Sequence, residues 1–434
     1  MTVIDEGLLS PVSAGHDDVV ADRLFLDALV RAEAALIGAY VDIELAPPEL
    51  DDVLDSVSRF DPAEVAQAAV AGGNPVIPMV SRLKDAVPPD ARVWVHRGAT
   101  SQDIWDTAMM IVAQRATEQV RSSLTRAARG LRQLAAAHRD DLAVARTLTQ
   151  HAVPTTIGLR VATWARALER AATRLGDLAF PAQLGGAGGT LASFVEIAGS
   201  VDAAQRLVAA YSRRADLATP EAPWHVTRWP VTELGDSLVQ AVDAAGKLAT
   251  DVATLSRTEI GEVAEGTGGG SSAMPQKQNP AESVLIRSAA LRAPQLGATL
   301  HLAAALAGDE RPDGAWHAEW PTLRELLRLA LGASWHASSL AEHLRIDVGA
   351  ARDNLELTGG LVLSERLSLV LTPLIGKDRV TQIVSDAAGG GDLAALVRGA
   401  LPATTTVDID GLLDPSDYTG LAGALVDEAT QEEE

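Results

Sequence analysis

The sequence predicts an all-α protein organised round a long central helix bundle, and three observations carry that expectation. Aromatic residues make up only 3% of the 434 positions, while alanine and leucine abound. That composition favours helices and lets them approach closely. Apolar residues recur at helical spacing over five long stretches, and strand-like alternation is scarce.

The first long helix starts near Thr100, where Thr100 and Asp103 offer capping groups. Ser101 to Arg129 contains neither Gly nor Pro, and beyond Gly130 the pattern resumes through His138, a length of about 50 Å. Ile104, Ala108, Ile111 and Val112 open its apolar stripe. A second helix is predicted from about Pro154 to Leu175. A third runs from about Val231 to Val263, with Leu234, Leu238, Val242, Ala245, Leu248, Val252 and Leu255 as its seam. A fourth begins at Pro280, a good first-turn residue, and continues to about Leu306. A fifth spans about Pro321 to Leu344. Helices of this length cannot hide their apolar faces alone, so they imply a bundle continued by helices of other subunits.

The flanks differ. Residues 1–98 read as shorter helices broken by Pro47, Pro48, Pro62, Gly72, Gly73, Pro75 and Pro78. Residues 346–434 carry a Gly359-Gly360 turn, a Gly389-Gly390-Gly391 linker and an acidic tail. The expected domains are therefore an N-terminal helical domain (1–98), a central long-helix bundle with the active-site loops (99–345) and a C-terminal helical domain (346–434).

Charge narrows the function. With 36 Lys and Arg against 58 Asp and Glu, the net charge is −22. Such a chain is a poor match for nucleic acid, whose binders neutralise phosphates with basic side chains, and for anionic membranes. The absence of cysteine excludes disulfides, thiolate metal sites and a cysteine nucleophile. Met1 to Ser10 holds Asp5 and Glu6 and no basic residue, unlike a targeting peptide. Apolar stretches are broken well before 18 residues. The expectation is a soluble cytoplasmic protein.

Between the long helices lie three polar stretches, and loops on rigid scaffolds are where chemistry concentrates. His96-Arg97-Gly98-Ala99-Thr100-Ser101-Gln102-Asp103 puts hydroxyls at the positive end of the first long helix, where a carboxylate is favoured; ordinary N-capping is the alternative use. In Thr147 to Thr156, His151 stands three residues before Pro154, so it is not in a helix interior and faces a cavity or the surface; a purely structural histidine is the alternative use. Gly266 to Pro280 places four glycines and two serines before Lys277, Asn279 and a helix start. Such a loop can turn several N–H groups toward an anion, although a flexible linker with a helix cap would look the same. It is not a phosphate-binding P-loop, because the GxxxxGK[ST] spacing is missing.

Together the three stretches resemble the fumarase/aspartase superfamily. The superfamily's GSSxMPxKxNP motif stands here as Gly270-Ser271-Ser272-Ala273-Met274-Pro275-Gln276-Lys277-Gln278-Asn279-Pro280. Within it, His96 to Asp103 (HxGATSQD) and Gln150 to Thr156 (QHAxPTT) resemble adenylosuccinate lyases and 3-carboxy-cis,cis-muconate cycloisomerases. The stretch Gln183 to Ala192, and Asp309 to Trp320 with its Trp316-His317-Ala318-Glu319-Trp320, favour the cycloisomerases. The pattern also departs from the family. Gln276 and Gln278 stand where His and Arg are usual, and Arg228 is followed by Trp229 and Pro230 instead of Asp-Arg.

The resemblance implies a three-domain fold, a homotetramer with active sites shared between subunits, and no metal or other cofactor. It also implies one kind of intermediate, an aci-carboxylate formed next to a substrate carboxylate. The expected reaction converts 3-carboxy-cis,cis-muconate to 4-carboxymuconolactone in protocatechuate catabolism. The alternative is an adenylosuccinate lyase-like enzyme releasing fumarate from a succinylated substrate. Motif position makes Ser271 the expected proton-transfer residue, its anion supported by loop N–H groups and Lys277. His151, whose ordinary pKa of about 6.5 suits proton transfer, is the other candidate. The small polycarboxylate substrate is expected to meet His96, Thr100, Ser101, Thr149, Gln150, Ser272, Met274, Lys277, Asn279 and Arg311, with Arg97 adding positive charge.

Overall fold

The computed structural model describes residues 7–55, 57, 60–267, 269–270, 274, 276–402 and 404–431. Among these the all-α expectation holds. The helices are α1 (Asp22–Asp42), α2 (Pro62–Ala69), α3 (Val76–Ala86), α4 (Ser101–Ala137), α5 (Ile157–Gly176), α6 (Ala192–Ala198), α7 (Val201–Ala215) and α8 (Trp229–Leu255). They continue with α9 (Ala281–Ala305), α10 (Ala315–His343), α11 (Val348–Glu356), α12 (Ser364–Ile375), α13 (Lys377–Ala388), α14 (Leu393–Ala400), α15 (Ile409–Leu412) and α16 (Ala422–Thr430). Strands are confined to two antiparallel pairs, β1 (Leu142–Thr147) with β2 (Gln150–Thr156) and β3 (Val263–Ala264) with β4 (Arg345–Ile346). No single helix among the described residues is long and apolar enough to cross a membrane; one pair, Val348–Glu356 with Leu361–Ile375, passes by composition but is bent by 75°.

The chain divides into two compact units. The first comprises Met1–Ser122, Ala171–Asp243 and Ser288–Trp335, and the second Ser123–Arg170, Ala244–Arg287 and His336–Glu434. In the first unit α1 packs along α7. In the second, β1 packs on α11, and Val144, Leu355, Val362 and Leu363 form a buried cluster beneath the hairpin. A separate cluster round Leu367, Leu371, Val380, Ile383 and Val397 supports α12 to α14.

Three of the predicted helices need correction. Pro154 does not begin a helix. It lies in β2 opposite Val144, in a two-stranded ribbon where a residue without an N–H is tolerated. α5 starts only after Thr156, whose Oγ1 accepts from Leu159 N at 3.1 Å as its cap. α8 ends at Leu255, not Val263, because Ser256 to Gly261 turns the chain into β3, with Gly261 at φ +65°. Its seam from Leu234 to Leu255 is buried as expected. α10 starts at Ala315, six residues before Pro321, and carries that proline in its second turn. The long helix at Ser101 was predicted to His138 and ends at Ala137, and the helix after Pro280 runs to Ala305.

Gly158 marks a tight approach in the second unit. A Cβ there would lie 2.8 Å from Ala135 O, Arg139 Cα and His138 O, all of them backbone atoms that cannot give way cheaply. Gly158→Ala is therefore expected to cost about 1–3 kcal/mol in urea or thermal unfolding. Gly188→Ala, which meets nothing within 4 Å, should be close to neutral; equal behaviour of the two would contradict the packing.

Candidate active site

The expected site residues fall in both units, and each unit shows how its own segments are held. In the first unit, the turn before α4 is built on two positive φ angles, His96 at +59° and Gly98 at +76°. Glu33 of α1 clamps it. Its Oε2 accepts from His96 N at 2.9 Å and its Oε1 lies 2.6 Å from His96 Nδ1. Arg97 lays its guanidinium over Trp94, 4.6 Å from the ring centre. The first turn of α4 is capped by its own Asp103, whose Oδ2 accepts from Thr100 N at 3.0 Å. Capping therefore does not occupy the hydroxyls of Thr100 and Ser101. Both are half-buried, and among the described residues neither has a protein partner.

Asp103 does more than cap. Its two oxygens also accept from Gly185 N (2.8 Å), Gly186 N (3.0 Å) and His225 Nε2 (2.8 Å). It thereby ties the helix start to the glycine-rich stretch after Gln183. Arg311 joins the same place, donating to Gln102 Oε1 at 3.0 Å and to Ala187 O at 2.8 Å. Both acceptors are neutral, so Arg311 keeps its charge uncompensated at the rim of these motifs.

One turn deeper, Arg228 is fully buried between Asp106 (2.7 Å) and Glu319 (2.7 Å), and Trp316 donates to Asp106 at 3.0 Å. Burial alone would lower the guanidinium's pKa, yet Asp106 and Glu319 hold it above the ordinary arginine value. Burial pushes the Glu319 carboxyl up, and Arg228 opposes it. Removing the arginine would strand two buried acids at a cost of about 3–5 kcal/mol, whereas removing one acid leaves Arg228 paired with the other. Trp316 and Glu319 of the Trp-His-Ala-Glu-Trp stretch thus serve this network from inside the protein.

In the second unit, the hairpin carries Thr149, Gln150 and His151. Its two turn residues, Leu148 at φ +47° and Thr149 at φ +72°, give the primed turn that matches strand twist, without the usual glycine. His151 is the cross-strand neighbour of Arg146. Both line a cavity of about 680 Å³ with Thr149, Arg160, Asp251 and Asn354. His151 Nδ1 and Arg146 Nη1 are buried there without a hydrogen-bond partner. Burial lowers the His151 pKa, the Arg146 charge lowers it further, and Glu262 partly offsets both. Burial and Arg146 thus both favour the uncharged imidazole.

Glu262 organises this cavity. Its carboxylate takes Arg146 (2.6 Å), Arg160 (2.8 Å) and Asn354 (3.0 Å). Burial would raise its pKa, but the Arg146 hydrogen bond and the two cations hold it below the ordinary value. β3 follows immediately, so the anchor of the hairpin is also the root of the glycine–serine loop. Glu265 then caps α9, accepting from Glu282 N (3.1 Å), Ser283 N (2.8 Å) and Ser283 Oγ (2.6 Å). Gly269 and Asn279 exchange two 2.9 Å backbone bonds that close the loop's base. Met274 and Lys277 are exposed and Asn279 is half-buried. Ser271 and Ser272 lie outside the described residues. Among the described residues, no group of three or more His, Asp or Glu is placed to hold a metal ion.

Sequence reasoning missed Glu33, Asp106, Arg146, Glu262, Glu265 and Glu319. Each acts through contacts distant in sequence, and only the glutamate of the Trp-His-Ala-Glu-Trp stretch belonged to a motif singled out beforehand.

The family model described as lyase matches residues 50–294. Nitrosuccinate lyase of Streptomyces davaonensis is 44% identical over 98% of this chain and 95% of that protein. The 3-carboxy-cis,cis-muconate cycloisomerase of Bradyrhizobium diazoefficiens is 36% identical over 97% of this chain and 96% of that protein. The crystal structure of 3-carboxy-cis,cis-muconate lactonizing enzyme from Pseudomonas putida superposes with a TM-score of 0.87 at 33% identity, covering 98% of each chain. The chain belongs to the lyase family of the fumarase/aspartase superfamily and is an enzyme of that family.

Proposed function

We propose that the protein eliminates a substituent from a small substituted succinate and releases fumarate, as a nitrosuccinate-type lyase. The 44% identity to nitrosuccinate lyase along nearly the whole chain carries this reading. Gln276 and Gln278 contribute no charge, and Arg228 is fully consumed by Asp106 and Glu319. Arg146 and Arg160 share the single acid Glu262, so one positive charge remains in their cavity to meet a carboxylate.

A base removes the proton from the carbon next to one carboxylate, and the electron pair spreads into that carboxylate as an aci-carboxylate. Return of the pair forms the double bond and expels the substituent from the neighbouring carbon. With a nitro substituent the products are fumarate and nitrite. By motif position Ser271 takes the carbon proton. His151, unpartnered at Nδ1, shares or relays it. Loop N–H groups and Lys277 stabilise the extra negative charge, where each well-placed donor contributes about 3–4 kcal/mol.

The second reading is the 3-carboxy-cis,cis-muconate cycloisomerase reaction, favoured by the TM-score of 0.87 with the Pseudomonas putida enzyme and by the Trp316-to-Trp320 motif. There a substrate carboxylate oxygen adds to the conjugated double bond, and a proton quenches the resulting aci-carboxylate. In either case we propose a homotetramer whose sites combine segments of different subunits. α9 supports this, leaving Val284, Leu291 and Leu302 exposed at spacings that put them on one side of the helix.

A panel of nitrosuccinate, 3-carboxy-cis,cis-muconate and adenylosuccinate decides the substrate. Fumarate and nitrite in equal amounts from the first is the expected result. Lactone formation without nitrite moves the assignment to the cycloisomerase, and no product from any of the three overturns both. Ser271→Ala and His151→Ala should each lower kcat by about 10²–10⁴-fold. Mixing the two inactive variants should restore partial activity if subunits share sites, and light scattering should give the mass of four chains.

The His151 environment fixes the direction of the pH profile. Protonation removes its capacity to accept, and its pKa lies below 6.5, so kcat/KM should stay level through neutrality and fall only on the acid side of that value. Arg146→Gln removes the lowering charge and leaves Glu262, so the acid limb should move up. An unmoved limb would show that Arg146 does not control the group that titrates.

A further inference from the structure

α1 sends two fully buried polar side chains, Glu33 and Tyr40, to the turn that carries His96. They are seven residues apart, which puts them on one face of the helix. Tyr40 Oη donates to Arg97 O at 2.8 Å. From the other side Ser193 Oγ donates to Gly98 O at 2.7 Å, and Phe194 and Ile197 leave no room for a Cβ on Gly98. The turn is therefore over-determined. That is how a non-glycine residue such as His96 stays at positive φ.

Glu33 contributes something the other contacts do not. One carboxylate oxygen satisfies the His96 N–H, which any neutral acceptor could do. The second oxygen, 2.6 Å from Nδ1, is reserved for the ring. A carboxylate accepts only, so the ring proton facing it sits on Nδ1. The remaining nitrogen, Nε2, has no protein partner among the described residues and belongs to the same segment as the unoccupied hydroxyls of Thr100 and Ser101. A wholly buried carboxylate is costly unless its charge is used, and the ring is its one ion-pair partner among the described residues.

We propose that Glu33 is a positioning residue for substrate binding: it locks the backbone and ring of His96 so that Nε2 is presented to a substrate carboxylate. The proposal rests on the reading of His96 as a substrate contact, and the experiment separates the two. Fumarate affinity by calorimetry and KM are measured first for His96→Ala. If neither changes, the reading of His96 fails. If both worsen, Glu33→Gln is the test. It should raise KM and the fumarate Kd by about 10–100-fold while kcat changes by less than about threefold.

Tyr40→Phe loosens the same turn without touching the ring and should leave the fumarate Kd within about threefold. Equal losses in Tyr40→Phe and Glu33→Gln would reduce Glu33 to a structural support and overturn the proposal. Adding Glu33→Gln to His96→Ala should cause no further loss; an additive loss overturns it as well. Should Glu33→Gln fail to fold, ring-nitrogen NMR of the unmodified enzyme still decides, using the histidine signal lost in His96→Ala. A protonated Nδ1 supports the assignment and a bare Nδ1 overturns it.

Discussion

A carboxylate removed from water must be surrounded by N–H groups or cations, or it will not stay charged. This chain applies that constraint at every segment that carries its family motifs. Glu33, Asp103, Asp106, Glu262, Glu265 and Glu319 are all buried. Each reaches backbone or side-chain donors from elements distant in the sequence. Asp103 gathers the start of α4, the glycine-rich stretch at Gly185 and His225. Glu262 gathers the hairpin, α5 and α11. Because an unpaired buried acid is worse than none, these contacts act as all-or-nothing fasteners, and the loops they hold inherit defined positions.

That fastening permits local strain where chemistry is proposed. Among the described residues seven non-glycine residues have positive φ, and His96, Leu148 and Thr149 belong to motif segments. A β-branched residue such as Thr149 is especially unfavourable there. The hairpin tip tolerates it because the strands below are anchored by Val144 in an apolar cluster and by Arg146 on Glu262. Sequence gives the residue types, packing supplies the restraint, and the restraint orients His151 and Arg146 into one cavity.

The helical architecture was legible because period and length are local properties. The seam of α8 could be read residue by residue, and so could the start of α4. The hairpin was not, since Leu-Ala-Val-Ala-Arg-Thr alternates only weakly and Pro154 looks like a helix start. Pro321 misled in the opposite sense, as a helix boundary that α10 passes through. The motif segments were recognisable by their unusual composition, but their supports were not. Glu33 in α1 and Glu262 before β3 look like any surface glutamate until the fold brings His96 and Arg146 to them. A buried ion pair leaves no periodic trace, and its partners here lie 63 and 116 positions apart.

The same pairing logic bears on substrate charge. An acidic chain that must bind an anion has to withhold some of its arginines from its own carboxylates. Arg228 is not withheld, being enclosed by two acids. Arg311 is, because its protein acceptors are the neutral Gln102 and Ala187 carbonyls. Arg146 and Arg160 share one acid, leaving an excess of one positive charge beside His151. Burial and the Arg146 charge both lower the His151 pKa, and the excess positive charge suits an anion in the same cavity. His and Arg at 276 and 278 would have added cations to the loop, and the glutamines at both places add none.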